Sequence, residues 1–245
     1  MNKFDLEKEN RNFLKKSCLI VAHPDDEILW FSSIISKVDL VIICFLGNPA
    51  FPDRGAARSR VLDNYPLSNI KCMNLDVPLN RQWSSGDNLI ENEFGLELPA
   101  EAVARYKDSY FQLSQLLSKE ITKYKNVFTH NPWGEYGHEM HVQLHKVVKD
   151  ISEKNNFNVW FSNYVSNNTL SLAEQYIHQA PVGSVTLDTN IQLSDVVRDM
   201  YIAENCWTVS AHHNWAVNES FSRCVNKNDK LSQGRKVFSF NHLVW

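Results

Sequence analysis

The chain has few cysteines, no excess of basic residues and no long apolar run, and each absence argues against a class of protein. Its five cysteines are widely spaced along 245 residues and never form a C-x-x-C pair. A disulfide framework or a cysteine zinc site is therefore not expected, and a reducing compartment is favoured. The formal net charge of −3 argues against nucleic acid as the main partner.

Membrane and export signals are missing as well. No window approaches the roughly 18–20 apolar residues that a membrane helix needs. Residues 1–16 alternate charged residues with single apolar ones, which is not the pattern of a signal peptide. We therefore expect a cytoplasmic protein with no integral membrane segment.

What is present is the composition of an ordinary globular protein, 43% hydrophobic and 22% charged. A chain of this length can bury a core as a single domain, and we expect one domain over residues 1–245. Strand-like apolar runs alternate with helical patterns up to about residue 165, after which the pattern is less regular. The alternation predicts an α/β fold with a mainly parallel sheet flanked by helices.

The predicted elements follow from apolar spacing. Helical spacing of Ile28, Phe31, Ile35 and Val38 predicts a helix after the first strand, and residues 78–97 have no period and predict a long connection. The predicted strands are 17–22, 39–46, 70–77, 126–130 and 159–164. The other predicted helices are 56–65, 99–124, 138–154 and 194–205.

The first motif that could carry chemistry is A-H-P-D-D-E, residues 22–27, directly after the first strand. Pro24 fixes its own backbone and biases His23 toward an extended conformation. Three side chains able to bind a metal, His23, Asp25 and Asp26, are therefore confined to one strand end. In parallel sheets such strand ends are where ligands bind.

The second motif is N-P-W-G-E-Y-G-H-E-M-H, residues 131–141, between a predicted strand and a predicted helix. His138, His141 and His145 are spaced three and four apart, so on a helix they share a face. That face lies away from the apolar stripe of the same helix. The spacing does not fit H-E-x-x-H, because Val142 stands four residues after His138. Any metal is therefore expected to take ligands from both motifs, in a site of two histidines and one carboxylate.

Together these segments resemble the PIG-L/LmbE-like family of zinc-dependent N-acetylglucosaminyl deacetylases, whose markers are A-H-P-D-D-E and a distal G-H-x-x-H. The similarity covers about residues 17–150 and implies a Rossmann-like fold. It also implies one Zn²⁺ per chain, held by His23, Asp26 and His141. The resemblance further implies that Asp25 is the general base for a zinc-activated water. It also implies that His138 stabilises the oxyanion or protonates the leaving amine.

The resemblance also suggests residues that contact the substrate. Tyr136 occupies a position where family members meet the sugar. Family members usually have Arg-x-x-Glu after the second strand, but here Arg58 is followed at that spacing by Val61, and Arg60 by Asp63. Either arginine is a candidate, with Arg58 preferred.

Aromatic and histidine side chains in two loops add further candidates. Trp83 lies in the long connection and His212 lies in the segment 206–221. Both are candidate substrate contacts, because aromatic rings can stack on a sugar face.

The expected function is removal of the N-acetyl group from a small-molecule amino sugar of the N-acetylglucosamine type. The sugar would belong to a glycoside, a lipid-linked sugar or a nucleotide sugar in glycan biosynthesis. Two alternatives stay open, namely a metal-dependent glycosyltransferase and a carbohydrate-binding relative without activity. A homo-oligomer is possible. Metal preference separates the first alternative, since Mg²⁺ and Mn²⁺ seldom recruit two histidines.

Overall fold

The computed structural model describes residues 12–79, 89–178, 184–210, 213–225 and 238–243. Its centre is a seven-stranded sheet in the order β3 (Ile70–Asp76), β2 (Leu40–Gly47), β1 (Ser17–Val21), β6 (Asn126–Thr129), β7 (Asn158–Ser162), β10 (Asn218–Arg223) and β9 (Ser184–Asp188). The five strands from β3 to β7 in this order are parallel, and β10 runs antiparallel to both of its neighbours. The predicted α/β fold with a mainly parallel sheet is confirmed.

The elements alternate along the chain as the sequence predicted. The sheet strands are β1 Ser17–Val21, β2 Leu40–Gly47, β3 Ile70–Asp76, β6 Asn126–Thr129, β7 Asn158–Ser162, β9 Ser184–Asp188 and β10 Asn218–Arg223. The small strands are β4 Glu91–Asn92, β5 Gly95–Leu96, β8 Tyr164–Ser166 and β11 Asn241–Leu243. The helices are α1 Asp26–Leu29, α2 Pro52–Asp63, α3 Ala100–Ile121, α4 Gly134–Gly137, α5 Glu139–Asn155, α6 Leu170–His178 and α7 Ile191–Ala203.

Two apolar layers cover the sheet, one on each face. One contains the inward faces of α3 and α5, with Leu113, Leu117 and Leu144 completely buried. The other contains the segment after β1 and helix α7. The strands between them are buried on both faces, as expected for a parallel sheet in an α/β protein.

The segment after β1 differs from its prediction. The α-helix ends at Leu29, although the helical spacing predicted that it would continue to residue 38. The backbone N–H groups of Ser32 and Ser33 donate to the carboxylate of Glu219 at 3.1 and 2.9 Å, and not to the preceding turn. The Glu219 carboxylate thus replaces the backbone carbonyls that would accept these N–H groups in a helix. The apolar pattern still marks burial correctly, since Ile28 and Phe31 are completely buried.

The described part of the C-terminal third adds regular elements to the fold. Its strands β9 and β10 extend the central sheet, and α7 packs against α1 and α2. The predicted connection 78–97 contains the small β4–β5 hairpin in its described part. A single domain over residues 1–245 stays a prediction. Among the described helices, none is long and apolar enough to span a bilayer.

We expect Glu219→Ala to lower the free energy of unfolding by about 2–4 kcal/mol, because it leaves buried backbone and hydroxyl donors of Ser32 and Ser33 without an acceptor. Chemical denaturation measures the loss. Glu120→Gln is the control, since Glu120 forms an exposed ion pair with Lys71. That change should cost less than about 1 kcal/mol. Equal losses in the two variants would contradict the role given to Glu219.

Candidate metal centre

Both motifs lie at the carboxyl ends of neighbouring strands in the middle of the sheet. β1 pairs in parallel with β6, and the strand order reverses between them. In open α/β sheets this switch point forms a crevice where ligands bind. Residues 22–27 leave β1 and residues 130–141 leave β6, so the topology brings the two motifs together.

The first motif fixes the carboxylate of Asp26. The backbone N–H of His23 donates to Asp26 Oδ2 at 2.7 Å, and the indole N–H of Trp30 donates to Oδ1 at 3.1 Å. The turn that allows this places Asp25 at φ 102°, a left-handed conformation that is rare for a residue other than glycine. Asp26 is buried, with one oxygen, Oδ2, turned toward the histidines.

The second motif begins with a tight turn and ends in helix α5. Gly134 and Gly137 have positive φ angles of 70° and 95°, and a Cβ on Gly134 would lie 2.9 Å from the Val142 side chain. His138 caps α5, because its Nδ1 accepts the N–H of Met140 at 3.2 Å. A neutral His138 therefore carries its proton on Nε2.

Three imidazole nitrogens converge on Asp26 Oδ2. His23 Nδ1 lies 3.2 Å from it, His141 Nε2 3.3 Å and His130 Nε2 3.5 Å. Within the described part of the chain, two groups have their donor atoms close enough together to hold a metal ion, namely His23 with His138 and His141, and Asp26 with His130 and His141. The predicted ligands His23, Asp26 and His141 are divided between these groups, and His141 belongs to both.

The hydrogen bonds separate His130 from the other candidates. Its Nε2 accepts the backbone N–H of Ala22 at 3.0 Å, and its Nδ1 lies 3.1 Å from the carboxylate of Glu135. The lone pair that a metal would need is thus already used. His130 links the end of β6 to the end of β1.

His141 has the opposite arrangement. Its Nδ1 lies 2.8 Å from Glu135 Oε2, while its Nε2 is buried and has no hydrogen-bond partner among the described residues. Burial opposes a charge on this ring, but the carboxylates of Asp26 and Glu135 outweigh it and raise the pKa of His141 to about 10. A positive charge beside His141 is therefore favoured, as a proton or as a metal cation. This donor set fits a divalent transition metal.

The carboxylate of Asp25 makes its hydrogen bond and its ion pair outside this cluster. Its Oδ2 accepts the hydroxyl of Thr208 at 2.6 Å and lies 3.6 Å from a guanidinium nitrogen of Arg58. Burial raises the pKa of Asp25 to about 6, against the opposing effect of Arg58. The buried carboxylate of Glu27 holds the strained turn, because Glu27 Oε2 accepts the Asp25 N–H at 2.8 Å.

His138 lies against the two predicted histidine ligands. Its ring centroid is 4.9 Å from that of His23 and 4.5 Å from that of His141. Burial lowers the pKa of His138 well below its usual value, and the neighbouring His141 lowers it further. A neutral ring with Nε2–H is the expected state, which makes His138 a hydrogen-bond donor.

The predicted substrate contacts fall in different places. Tyr136 packs beside His141 with ring centroids 5.7 Å apart. Of the two arginines, Arg58 is buried near Asp25, whereas Arg60 is exposed and pairs with Glu204 at 2.7 Å. Trp83 and His212 lie outside the described residues.

Several residues at this centre were not singled out from the sequence. Trp30 and Thr208 have no local signal, since they reach the site only through the tertiary fold. Glu135 stands inside the second motif, yet its spacing from His130 and His141 does not suggest contact. Its backbone, at φ 54° and ψ −67°, is what turns it inward.

No protein-family model matches the chain. An uncharacterised protein of Acanthamoeba polyphaga mimivirus is 26% identical over 185 residues, which cover 70% of this chain and 73% of the relative.

Solved structures of deacetylases share the fold. Teicoplanin deacetylase in its zinc-inhibited form matches with a TM-score of 0.55 and 12% identity, over 87% of this chain and 100% of its own. The pseudoaglycone deacetylase Dbv21 matches with a TM-score of 0.53 and 11% identity, over 89% of this chain and 100% of its own. The chain therefore has the LmbE-like fold, and the resemblance predicted from the sequence is confirmed at the level of the fold.

We expect the protein, once stripped with a chelator, to take up one divalent transition metal ion per chain, with Zn²⁺ as the probe. His141→Ala should lose this ion, because Nε2 of His141 is the buried donor without a hydrogen-bond partner. Metal analysis after gel filtration measures the stoichiometry. His242→Ala is the control, since His242 is exposed and bonds to Asn167. Stoichiometric zinc on the His141 variant would remove this residue from the centre.

Proposed function

We propose that this protein is a zinc-dependent N-deacetylase that hydrolyses the acetamide of an N-acetylated amino sugar. One observation carries the proposal. Imidazole nitrogens and one carboxylate oxygen converge at the switch point of the sheet, and the carboxylate of the adjacent Asp25 contacts Thr208 and Arg58 instead. This combination offers a metal site and a separate proton acceptor in one crevice.

In this proposal His23, Asp26 and His141 hold one Zn²⁺. They supply two nitrogens and one oxygen, the set found in many catalytic zinc sites with an open position. Asp26 is held by Trp30 and by the His23 backbone, so its Oδ2 can face the ion without rearrangement. A zinc ion bound here would polarise the amide carbonyl and lower the pKa of a bound water toward about 7.

Asp25 acts as the general base. Among the described residues its contacts with Thr208 and Arg58 both fall on Oδ2, which leaves Oδ1 to accept a proton from the attacking water. The hydroxyl of Thr208 fixes the carboxylate plane. Its neighbour Asp26 is committed to the imidazole cluster, so the two adjacent aspartates have different tasks.

His138 completes the site from the other motif. Its Nδ1 is occupied by the helix cap, and its Nε2–H can donate to the amide oxygen as negative charge develops there. This supports the oxyanion role over proton donation to the amine, which would require a charged ring. The helix cap also fixes the orientation of the ring, because turning it would break the bond to the Met140 N–H.

The substrate class rests on the resemblance and on the relatives. The solved neighbours with the same fold are deacetylases of teicoplanin and of a pseudoaglycone. For this chain we propose a small-molecule N-acetylated sugar, with Tyr136 and Arg58 at the mouth of the crevice. Glycan biosynthesis in the cytoplasm is the proposed setting.

We expect Asp25→Asn to keep zinc but to lower kcat by about 10²–10⁴-fold, the usual contribution of a positioned general base. An amine-release assay over N-acetylated sugars measures kcat, and metal analysis verifies occupancy. Asp63→Asn, on the exposed face of α2, is the control and should behave as wild type. Asp25 is not the base if its variant with bound zinc turns over at the wild-type rate.

The two arginines of α2 provide a matched pair. We expect Arg58→Ala to lower kcat/KM by about 10–100-fold, because a buried charged hydrogen-bond donor to substrate is lost. Arg60→Ala should change it by less than about twofold, since Arg60 pairs with Glu204 on the surface. Steady-state kinetics on the best sugar substrate decides, and a larger loss for Arg60 would reverse the assignment.

The same assay separates the alternatives. A deacetylase releases acetate, stops when a chelator is added and recovers with Zn²⁺. A glycosyltransferase would instead require a nucleotide sugar with Mg²⁺ or Mn²⁺, and a binding protein would release nothing. The imidazole-rich donor set supports the first outcome, because hard cations prefer oxygen ligands.

A further inference from the structure

Glu135 receives four hydrogen bonds in the interior of the protein. Its Oε2 lies 2.8 Å from His141 Nδ1 and 3.1 Å from His130 Nδ1. Its Oε1 accepts the hydroxyl of Ser162 at 2.7 Å and the N–H of Asn131 at 3.2 Å. The side chain is completely buried.

The backbone of Glu135 is strained. Its φ of 54° and ψ of −67° lie in a sparsely populated region for a residue with a side chain. The turn is held from both sides, since the Glu135 N–H donates to Asn131 Oδ1 and the Glu135 carbonyl accepts the hydroxyl of Thr169. The local conformation is thus maintained by contacts that aim the carboxylate inward.

We propose that Glu135 is the positioning residue of the metal site, fixing the tautomer of His141 so that Nε2 is free to bind the metal. A carboxylate can only accept hydrogen bonds, so Nδ1 of His141 must carry the ring proton. The lone pair of the neutral ring is then on Nε2, which faces Asp26. This inference rests on the zinc site of the proposed function.

The same carboxylate also positions His130. With its proton on Nδ1 and donated to Glu135, His130 has a lone pair on Nε2 that accepts the Ala22 N–H. The His130 and His141 rings stack with centroids 3.7 Å apart. Glu135 therefore contacts both histidines, and His130 in turn bonds to Ala22 at the end of β1. His23 and Asp26 follow directly after that strand.

An amide cannot replace this carboxylate. Four donors point at its two oxygens, whereas glutamine has one acceptor oxygen and one NH₂ group. If the oxygen faces the histidines, the NH₂ group faces the Asn131 N–H, so two donors oppose each other. With the NH₂ toward the histidines, both Nδ1 atoms must accept, which moves the proton of His141 to Nε2 and blocks the metal.

The test is the zinc affinity of Glu135→Gln, measured by competition with a chromophoric chelator. We expect a 10–100-fold loss, the usual effect of removing a carboxylate behind a histidine ligand. Glu219→Gln is the matched control, because Glu219 is also buried and accepts four hydrogen bonds, but from Ser32 and Ser33. Its affinity should stay within about threefold of wild type.

A second readout follows the ring protons directly. In the zinc-loaded wild type, NMR of ¹⁵N-histidine protein should show strongly downfield Nδ1 protons from His130 and His141, in addition to the Nδ1 proton that His145 donates to the His130 carbonyl at 2.7 Å. The two protons bound to Glu135 are the ones that report on it. Both should persist in Glu219→Gln and move upfield in Glu135→Gln. A general loss of stability would not produce this selective change.

Ser162→Ala keeps the inference testable if Glu135→Gln does not fold. It removes one donor to Oε1 without changing charge, and we expect a smaller loss of zinc affinity, about 3–10-fold. Wild-type affinity in Ser162→Ala and in any folded Glu135→Gln would overturn the role of Glu135. Absence of zinc binding by the wild type would instead overturn the proposed function itself.

Discussion

Two buried carboxylates, Asp26 and Glu135, face opposite nitrogens of one imidazole, that of His141. Burial disfavours charge on each of the three groups, and their mutual attraction, together with His130 and the hydrogen bonds to both carboxylates, offsets that cost. Burial alone would raise the pKa of both carboxyls, but the neighbouring histidines outweigh it. They hold the pKa of Asp26 well below its usual value and lower the pKa of Glu135 to about 2. Positive charge between the two carboxylates is therefore favoured, and the surrounding hydrogen bonds hold that geometry.

Two of the six non-glycine residues with positive φ in the described chain lie in the two motifs. Asp25 and Glu135 both have positive φ, one in each motif, and each is held by a neighbouring carboxylate or amide. Strain of this kind persists only where the surroundings over-determine it, and it concentrates at functional sites. In one motif the strained turn separates Asp25 from Asp26, and in the other it directs a carboxylate behind His141. Two short segments thus supply His23, Asp26 and His141, the candidate metal ligands.

A change of hydrogen-bond acceptor explains why the first predicted helix ends early. Glu219 on β10 takes the N–H groups of Ser32 and Ser33, so the chain after α1 turns toward the far edge of the sheet. The apolar residues of that segment remain buried as their spacing indicated. Burial could be predicted because it depends on pattern, whereas helix continuity depended on an acceptor 187 residues away.

The sequence by itself determined the alternation of strands and helices, the mainly parallel sheet and the two motifs at strand ends, because these follow from local periodicity and from spacing. It also identified His23, Asp26 and His141 as candidates. Only the tertiary structure decided that Nε2 of His130 already accepts the N–H of Ala22 and that Glu135 lies against Nδ1 of His141. It also decided that Arg58 lies near Asp25, whereas Arg60 does not. Those distinctions depend on which lone pair and which proton face each other in space, and linear spacing carries no information about that.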